Sequence, residues 1–362
     1  MEQLGMQKRS RIRDYGAVVG RMQPGPLNKI TDVKGVKVGH ATIDTERHKT
    51  GVTVILPCED NMFARKLTAA VYVHNGFGKT QGTIQIEELG TLEAPIALTN
   101  TLNIGRVHDA LVGYMVSRCR ADHVPMHSVN PVVGECNDAT LNDIAERTVT
   151  EEDVQNAIQH ACEDFEEGDV GAGKGTICFG LKGGIGSASR QLTLDGVTYT
   201  VGVLVQSNFG STKNLTICGR NLGEEAARRV EERKLDEGSI MMVVATDLPV
   251  SDRQLKRIIK RAGVGLARCG SFMGHGSGDV MIGFTTANRI ETAGDGSTVP
   301  LTILKEHKLE DAFTAAAEAT EEAILNSLAA AHTVKGYSGT VKYALEDLFE
   351  REELRALITG GK

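Results

Sequence analysis

Apolar residues in this chain fall into two alternating patterns, short β-rich runs and longer stretches with helical spacing. GVTVILP from Gly51, VYVHNG from Val71, TVGVLVQSN from Thr200 and IMMVVATDLP from Ile240 are β-rich runs bounded by turn residues, and they predict strands. Two of these runs are apolar at both parities, the pattern of strands covered on both faces. Three other segments repeat at i, i+3, i+4, i+7. From Glu151, the residues Val154, Ala157, Ile158, Ala161, Cys162 and Phe165 predict a helix that Thr150 caps and Gly168 ends. Behind Ser251, the residues Leu255, Ile258, Ile259, Ala262 and Leu266 predict another, beginning at Asp252. From about Asp311 to Ala331 the chain is rich in Ala, Glu and Leu, which predicts a third. Strands interleaved with such helices predict a layered α/β or α+β protein.

The length of 362 residues allows two domains or one large one. With 41% hydrophobic and 24% charged residues, disorder and fibrous classes are excluded. A net charge of -7 without a basic cluster argues against a nucleic-acid partner. The first residues lack the apolar core of a secretory signal, and no apolar run approaches membrane-spanning length, so the expectation is a cytoplasmic protein with no membrane partner. The 41 glycines and the absence of Trp point to tight turns and close backbone approaches, not to an aromatic-lined stacking groove. Seven scattered cysteines with no CxxC pair suggest neither a disulfide framework nor a zinc ribbon.

Three motifs bear on chemistry. GDVGAGKG, from Gly168 to Gly175, nearly spells a phosphate loop, but Gly175 stands where Ser or Thr would hold magnesium and a helix precedes it where a strand is required. The preferred reading is a flexible glycine loop. His123 and His127 have i, i+4 spacing, but Pro125 between them discourages a helix that would present both to a metal. GSFMGHGSGD, from Gly270 to Asp279, holds two Gly-Ser bonds, Gly270–Ser271 and Gly276–Ser277. In such a bond the Ser hydroxyl can attack the preceding carbonyl. The resulting ester is cleaved by water, and the new chain begins with a Ser whose α-amine, of unperturbed pKa about 7.7–8.0, can act as a base. Taken alone, the motif also fits an ordinary glycine turn between helix and strand.

Seven collinear blocks decide between these readings. GPLNKITDVKGVKVGHATI (Gly25 to Ile43), TGVTVILP (Thr50 to Pro57), APIALTNTLNIGRVHDA (Ala94 to Ala110), PVVGECNDATLNDI (Pro131 to Ile144), GAGKGTICFGLKGGIGSASR (Gly171 to Arg190), VGVLVQSNFG (Val201 to Gly210) and GHGSGDVMIGFTTAN (Gly274 to Asn288) occur in this order. Together they resemble the autoproteolytic aminopeptidase family of L-aminopeptidase/D-esterases and β-peptidyl aminopeptidases, from about Arg11 to Ala331. The resemblance implies a four-layer αββα sandwich, like that of the N-terminal-nucleophile hydrolases but with different connectivity. It implies one domain, cut between Gly276 and Ser277 into chains 1–276 and 277–362 that stay together.

Carried over residue by residue, Ser277 is the nucleophile, Asn208 the oxyanion-hole amide and Glu135 the acid that receives the substrate's free amine. Thr320 and Glu322 match a hydroxyl and a glutamate in the family's late helix, with Glu321 as a competing choice for the acid. Positions i and i+2 on a regular helix do not share a face, so the helix must start or bend near Thr320, or only one of the pair touches the nucleophile. Where some relatives have an aromatic residue after the amine-binding acid, this chain has Asn137, Ala139 and Thr140, so an aromatic wall is expected to be missing. The resemblance implies a hydrolase acting on small peptides, amides or esters, with no metal or cofactor, and suggests a homo-oligomer. The rival readings are an acyltransferase of the related arginine-biosynthesis fold, disfavoured because that fold uses a Thr nucleophile, and an inactive structural relative.

Overall fold

A computed structural model describes residues 9–292 and 296–360. Two sheets carry the architecture. The first contains β1 (Lys37–Asp44), β2 (Lys49–Leu56), β5 (Ile96–Asn100) and β6 (Val132–Cys136), in the order β1-β2-β5-β6. The second contains β3 (Arg65–Gly76), β4 (Thr91–Leu92), β7 (Ile185–Leu194), β8 (Val197–Asn208), β9 (Gly238–Thr246) and β10 (Ser277–Glu291), in the order β4-β3-β10-β9-β8-β7. Neighbours are antiparallel except β5–β6 and β9–β10. Parallel neighbours need a crossover. The helix α1 (Ile104–Ala121) lies in the first, and the helices α3 (Asp252–Ile259) and α4 (Ala262–Arg268) in the second.

The sheets pack face to face. Leu204, Met241, Val243, Ile282 and Phe284 meet Ile55, Ile96, Leu98 and Val132 in one buried cluster between them. The alternate residues of the second sheet, Val203, Val205, Met242 and Val244, are buried against α3, α4 and the helix α5 (Glu310–Ala329). On the far side, α1 and α2 (Glu151–Gln159) cover Val52, Val54, Ala97 and Val133. The layers are therefore helix, sheet, sheet, helix, the αββα order expected. Strands inside such a stack are covered on both faces, which is why β8 and β9 are apolar at both parities.

The Thr150 cap is present, with its side chain accepting from the Asp153 N–H. The helix ends at Gln159, however, well before Gly168. Cys162 leaves the helical path to pair with Val38 at the open edge of β1, and Phe165 joins the inter-sheet core. The approach is close enough that a Cβ on Gly39 would lie 1.9 Å from the Ala157 carbonyl oxygen. Gly168 instead pairs with Ile185 at φ +88. The segment after Ser251 also divides, into α3 and α4. The 18-residue α1 was not among the predicted helices, although Ile104, Val107, Ala110, Leu111, Met115 and Cys119 line its buried side.

Candidate active site

The strand β10 begins at Ser277, and the residues before it form a tight turn. The Ser277 N–H donates to the Gly274 carbonyl oxygen at 2.9 Å, so the Gly276–Ser277 peptide closes a four-residue turn. Asn75, from the end of β3, holds this turn from the side. Its Nδ2 donates to the carbonyl oxygens of Gly274 at 3.1 Å, His275 at 3.2 Å and Ser277. The Gly276 carbonyl oxygen accepts from the Gly238 N–H at 3.3 Å. Gly278 must be glycine, because a Cβ there would meet the Phe77 carbonyl oxygen at 2.4 Å.

Ser277 is fully buried, and its Oγ donates to Asp279 Oδ1 at 2.8 Å. Residues i and i+2 of a strand share a face, which brings this pair together. Burial pushes the Asp279 carboxyl up to about 6; Asp236 adds to the rise, and the Ser277 hydrogen bond opposes it. Sequence reasoning passed over Asp279, because Ser277 and Asp279 read as a glycine turn and the strand that aligns them begins at Ser277. Ser271, the other candidate, has its Oγ donating to Asp236 Oδ2 at 2.9 Å in the loop after α4.

Beside the turn lies a cavity of about 580 Å³ whose walls include Phe77, Glu135, Asn137, Thr140, Ile177, Asn208, Ser239 and Gly276. Glu135 reaches it from the end of β6. Its Oε1 accepts from the Lys79 N–H at 3.1 Å and its Oε2 from the Thr101 hydroxyl. The side chain is 3% exposed. Asn137 lies in the same wall, with its Oδ1 turned back onto the Ala139 N–H at 3.0 Å. Phe77, from the end of β3, supplies an aromatic wall after all. It comes from a segment far in sequence from Asn137, Ala139 and Thr140.

Asn208 ends β8, with Oδ1 accepting from the Ile177 N–H at 2.9 Å. It pairs with Ser239, which pairs with Gly278. Ser277 and Asn208 therefore stand two strands apart, roughly 10 Å. Gly278 and Asn208 share the face toward the first sheet, whereas Ser277 and Asp279 share the face of Met281, which packs with the helices. The cavity is lined by Gly276 and not by Ser277. The Ser277 hydroxyl thus lies on the face away from the cavity that Glu135 and Asn208 line.

Thr320 and Glu322 are not brought to Ser277. The Thr320 hydroxyl donates to the Ala316 carbonyl oxygen within α5 at 2.7 Å. Glu322 accepts from Arg190 at 2.7 Å, from Arg13 at 2.5 and 2.7 Å, and from Asn28 at 2.5 Å. Arg190 pairs with Val201, seven residues from Asn208 along β8, so this cluster sits at the far end of the sheet. Burial works to raise the Glu322 carboxyl, but Arg13 and Arg190 outweigh it and hold it below its ordinary value. The helix runs unbroken from Glu310 through Thr320 to Ala329, and Glu321 pairs with Arg268 at 3.4 Å.

The GDVGAGKG segment is buried, not a flexible loop. Lys174 pairs with Asp44 at 2.7 Å and Asp169 at 2.9 Å, which leaves it no phosphate role. Close by, the fully buried Lys182 donates to the carbonyl oxygens of Gly173, Thr176 and Gly183. It ties down the loop whose Ile177 N–H orients Asn208. His123 and His127 belong to no cluster that could hold a metal among the described residues.

Comparison with known proteins agrees with this fold. A solved structure of L-aminopeptidase D-Ala-esterase/amidase from Ochrobactrum anthropi superposes with a TM-score of 0.88 at 35% identity, covering 97% of this chain and 98% of that one; it is described as a prototype for the serine aminopeptidases and a new variant among the Ntn-hydrolase fold. A protein of Pyrococcus horikoshii OT3 superposes with a TM-score of 0.91 at 46% identity, covering 97% and 99%. The fold is thus that variant of the Ntn-hydrolase fold, and the protein is a hydrolase of the aminopeptidase class. The sequence profile of peptidase family S58 matches residues 28–342, and the chain belongs to that family. The beta-peptidyl aminopeptidase BapA of Sphingosinicella microcystinivorans is 39% identical over 96% of this chain and 91% of its own length.

Proposed function

We propose that this aminopeptidase is self-processing, and that it releases N-terminal residues from short peptides, amides or esters through an acyl-enzyme on Ser277. The observation that carries this reading is the cavity itself. Its lining includes both the Gly276 end of a Gly-Ser turn and a fixed, buried carboxylate, Glu135. A carboxylate held by two donors and open to a cavity matches a substrate ammonium, because a desolvated ammonium needs an anionic partner.

In this mechanism, scission of Gly276–Ser277 frees Ser277 at the start of β10. A terminal residue is no longer held on its N-terminal side, so its hydroxyl can turn into the cavity. Its new α-amine then takes the hydroxyl proton as Oγ attacks the first carbonyl of the substrate, and returns it to the departing amine or alcohol as the scissile bond breaks. The side-chain amide of Asn208, fixed through its Oδ1, offers Nδ2 to the oxyanion. Water releases the acyl group. Relatives are named for beta-peptidyl and for L-aminopeptidase and D-Ala-esterase activity, so small substrates of both kinds are the ones to try.

The reading is tested by intact-mass analysis of wild type and Ser277→Ala, followed by assay on aminoacyl p-nitroanilides. Wild type is expected as two chains ending at Gly276 and beginning at Ser277, with Ser277→Ala uncut and inactive. A cut at the same bond in Ser277→Ala would remove Ser277 as the nucleophile.

A further inference from the structure

We propose that Asp279 is the general base of self-cleavage, and that maturation and turnover therefore use different bases. This rests on the reading of Ser277 as the nucleophile at the Gly276–Ser277 bond. The argument begins with what the uncut chain lacks. Before scission the nitrogen of Ser277 is an amide, acylated by Gly276, and has no lone pair that can take a proton at neutral pH. The α-amine that serves in turnover does not yet exist, so the first attack needs another acceptor.

The geometry supplies one. Ser277 Oγ already donates to Asp279 Oδ1 at 2.8 Å, and both residues are fully buried. The second oxygen, Oδ2, is buried with no hydrogen-bond partner among the described residues. Leaving such an atom unpaired costs about 1–3 kcal/mol, so a purely structural carboxylate would be expected to have found a donor. Across the sheet Asp279 is flanked by Asn75 and Ile240, which are uncharged. The ionisable neighbour Asp236 is occupied at Oδ2 by the Ser271 hydroxyl and the Phe272 N–H, both at 2.9 Å.

The step balances within the chain. Asp279 takes the proton from Oγ as the Oγ–C bond to Gly276 forms. Negative charge gathers on the Gly276 carbonyl oxygen, which already accepts from the Gly238 N–H at 3.3 Å. The C–N bond then breaks, and the proton held by Asp279 passes to the departing nitrogen, leaving an ester and a free amine. Water hydrolyses the ester to the Gly276 carboxylate and the Ser277 hydroxyl. Asp279 ends as it began, and Ser277 is free to turn to the opposite face of the sheet.

The test follows self-cleavage from the end of synthesis in cell-free translation, by intact mass, with folding checked by near-UV circular dichroism. Asp279→Asn keeps the shape and removes the base, and is expected to slow scission about 10²-fold or more. Turnover per matured chain should change by less than about tenfold, because the α-amine is then the base. Formate should accelerate scission in Asp279→Ala, where it can occupy the vacated space, and chloride at equal ionic strength should not. Asp279→Asn maturing within threefold of wild type, while Ser277→Ala stays uncut, overturns the role of Asp279 and leaves the nucleophile standing. A folded Asp279→Ala that formate does not accelerate overturns it as well. Scission of Ser277→Ala defeats the underlying reading instead.

Discussion

Two carboxylates near the cavity differ because their surroundings do. Glu135 is fixed by the Lys79 N–H and the Thr101 hydroxyl in the wall of the cavity, whereas Asp279 is sealed beneath the strand with one oxygen on Ser277. Only the first can meet a substrate charge. Glu135→Gln keeps both hydrogen-bond positions and removes the anion. KM for an alanyl anilide is expected to rise about 10- to 100-fold, the worth of a charge-assisted contact of roughly 1.5–3 kcal/mol. An ester lacking the free amine should be affected much less. Equal losses on both substrates would take Glu135 out of the amine pocket. At this scale the sequence was informative about which residues carry chemistry and silent about which way they point. Glu135, Asn137, Asn208 and Gly276, which are far apart in sequence, all line the cavity. Asn75, Thr101 and Phe77 escaped notice because each acts through a contact distant in sequence, and Asn and Thr in a predicted strand or turn carry no distinguishing pattern.

Elements bring these residues together through their ends. The turn before β10, the end of β3, the start of β9 and the end of β8 adjoin at one edge of the second sheet, while β6 brings Glu135 from the first. Four strands were readable as β-rich runs bounded by turn residues, yet their order was not, since strand pairing depends on partners far along the chain. The late helix α5 illustrates the same limit. Its composition predicted it to within two residues, but not what its carboxylates meet. Glu318 and Glu322 are i, i+4, so they share a face, and both pair with the buried Arg190, at 3.1 and 2.7 Å. Thr320 lies off that face. Glu322→Gln is accordingly expected to behave as a broken buried ion pair, destabilising by about 3–5 kcal/mol because it leaves arginine charge uncompensated. Self-cleavage per folded molecule should stay within a few-fold of wild type. Denaturant unfolding together with a maturation time course separates the two effects. A Glu322→Gln protein of normal stability that fails to cut itself would return this residue to the catalytic machinery.

For the whole molecule, the position of the proposed cut matters more than its chemistry. Chain 277–362 would begin with β10, which lies inside the second sheet between β3 and β9, and would also contain α5, which packs on β7 and β8. Chain 1–276 supplies every other strand of that sheet. Neither product could leave without exposing the cluster between the sheets, where Val280, Ile282 and Phe284 are buried, and the cluster beneath α5, where Ile324, Leu325 and Leu328 are buried. Burying side chains of this size contributes about 1.5–3 kcal/mol each, far more than the loss of one backbone connection costs. The two chains should therefore co-elute without denaturant and unfold in a single transition. Unfolding of the cut protein releases two molecules where the uncut protein releases one, so mass action makes its apparent Tm depend on concentration. Differential scanning calorimetry of mature wild type and of Ser277→Ala across a hundredfold range of concentration measures this directly. The slope of Tm against the logarithm of concentration should be steeper for the mature protein, whatever oligomer both form. Equal slopes, or chains that separate on a sizing column without denaturant, would mean that β10 is not integral to the fold once its first peptide bond is gone.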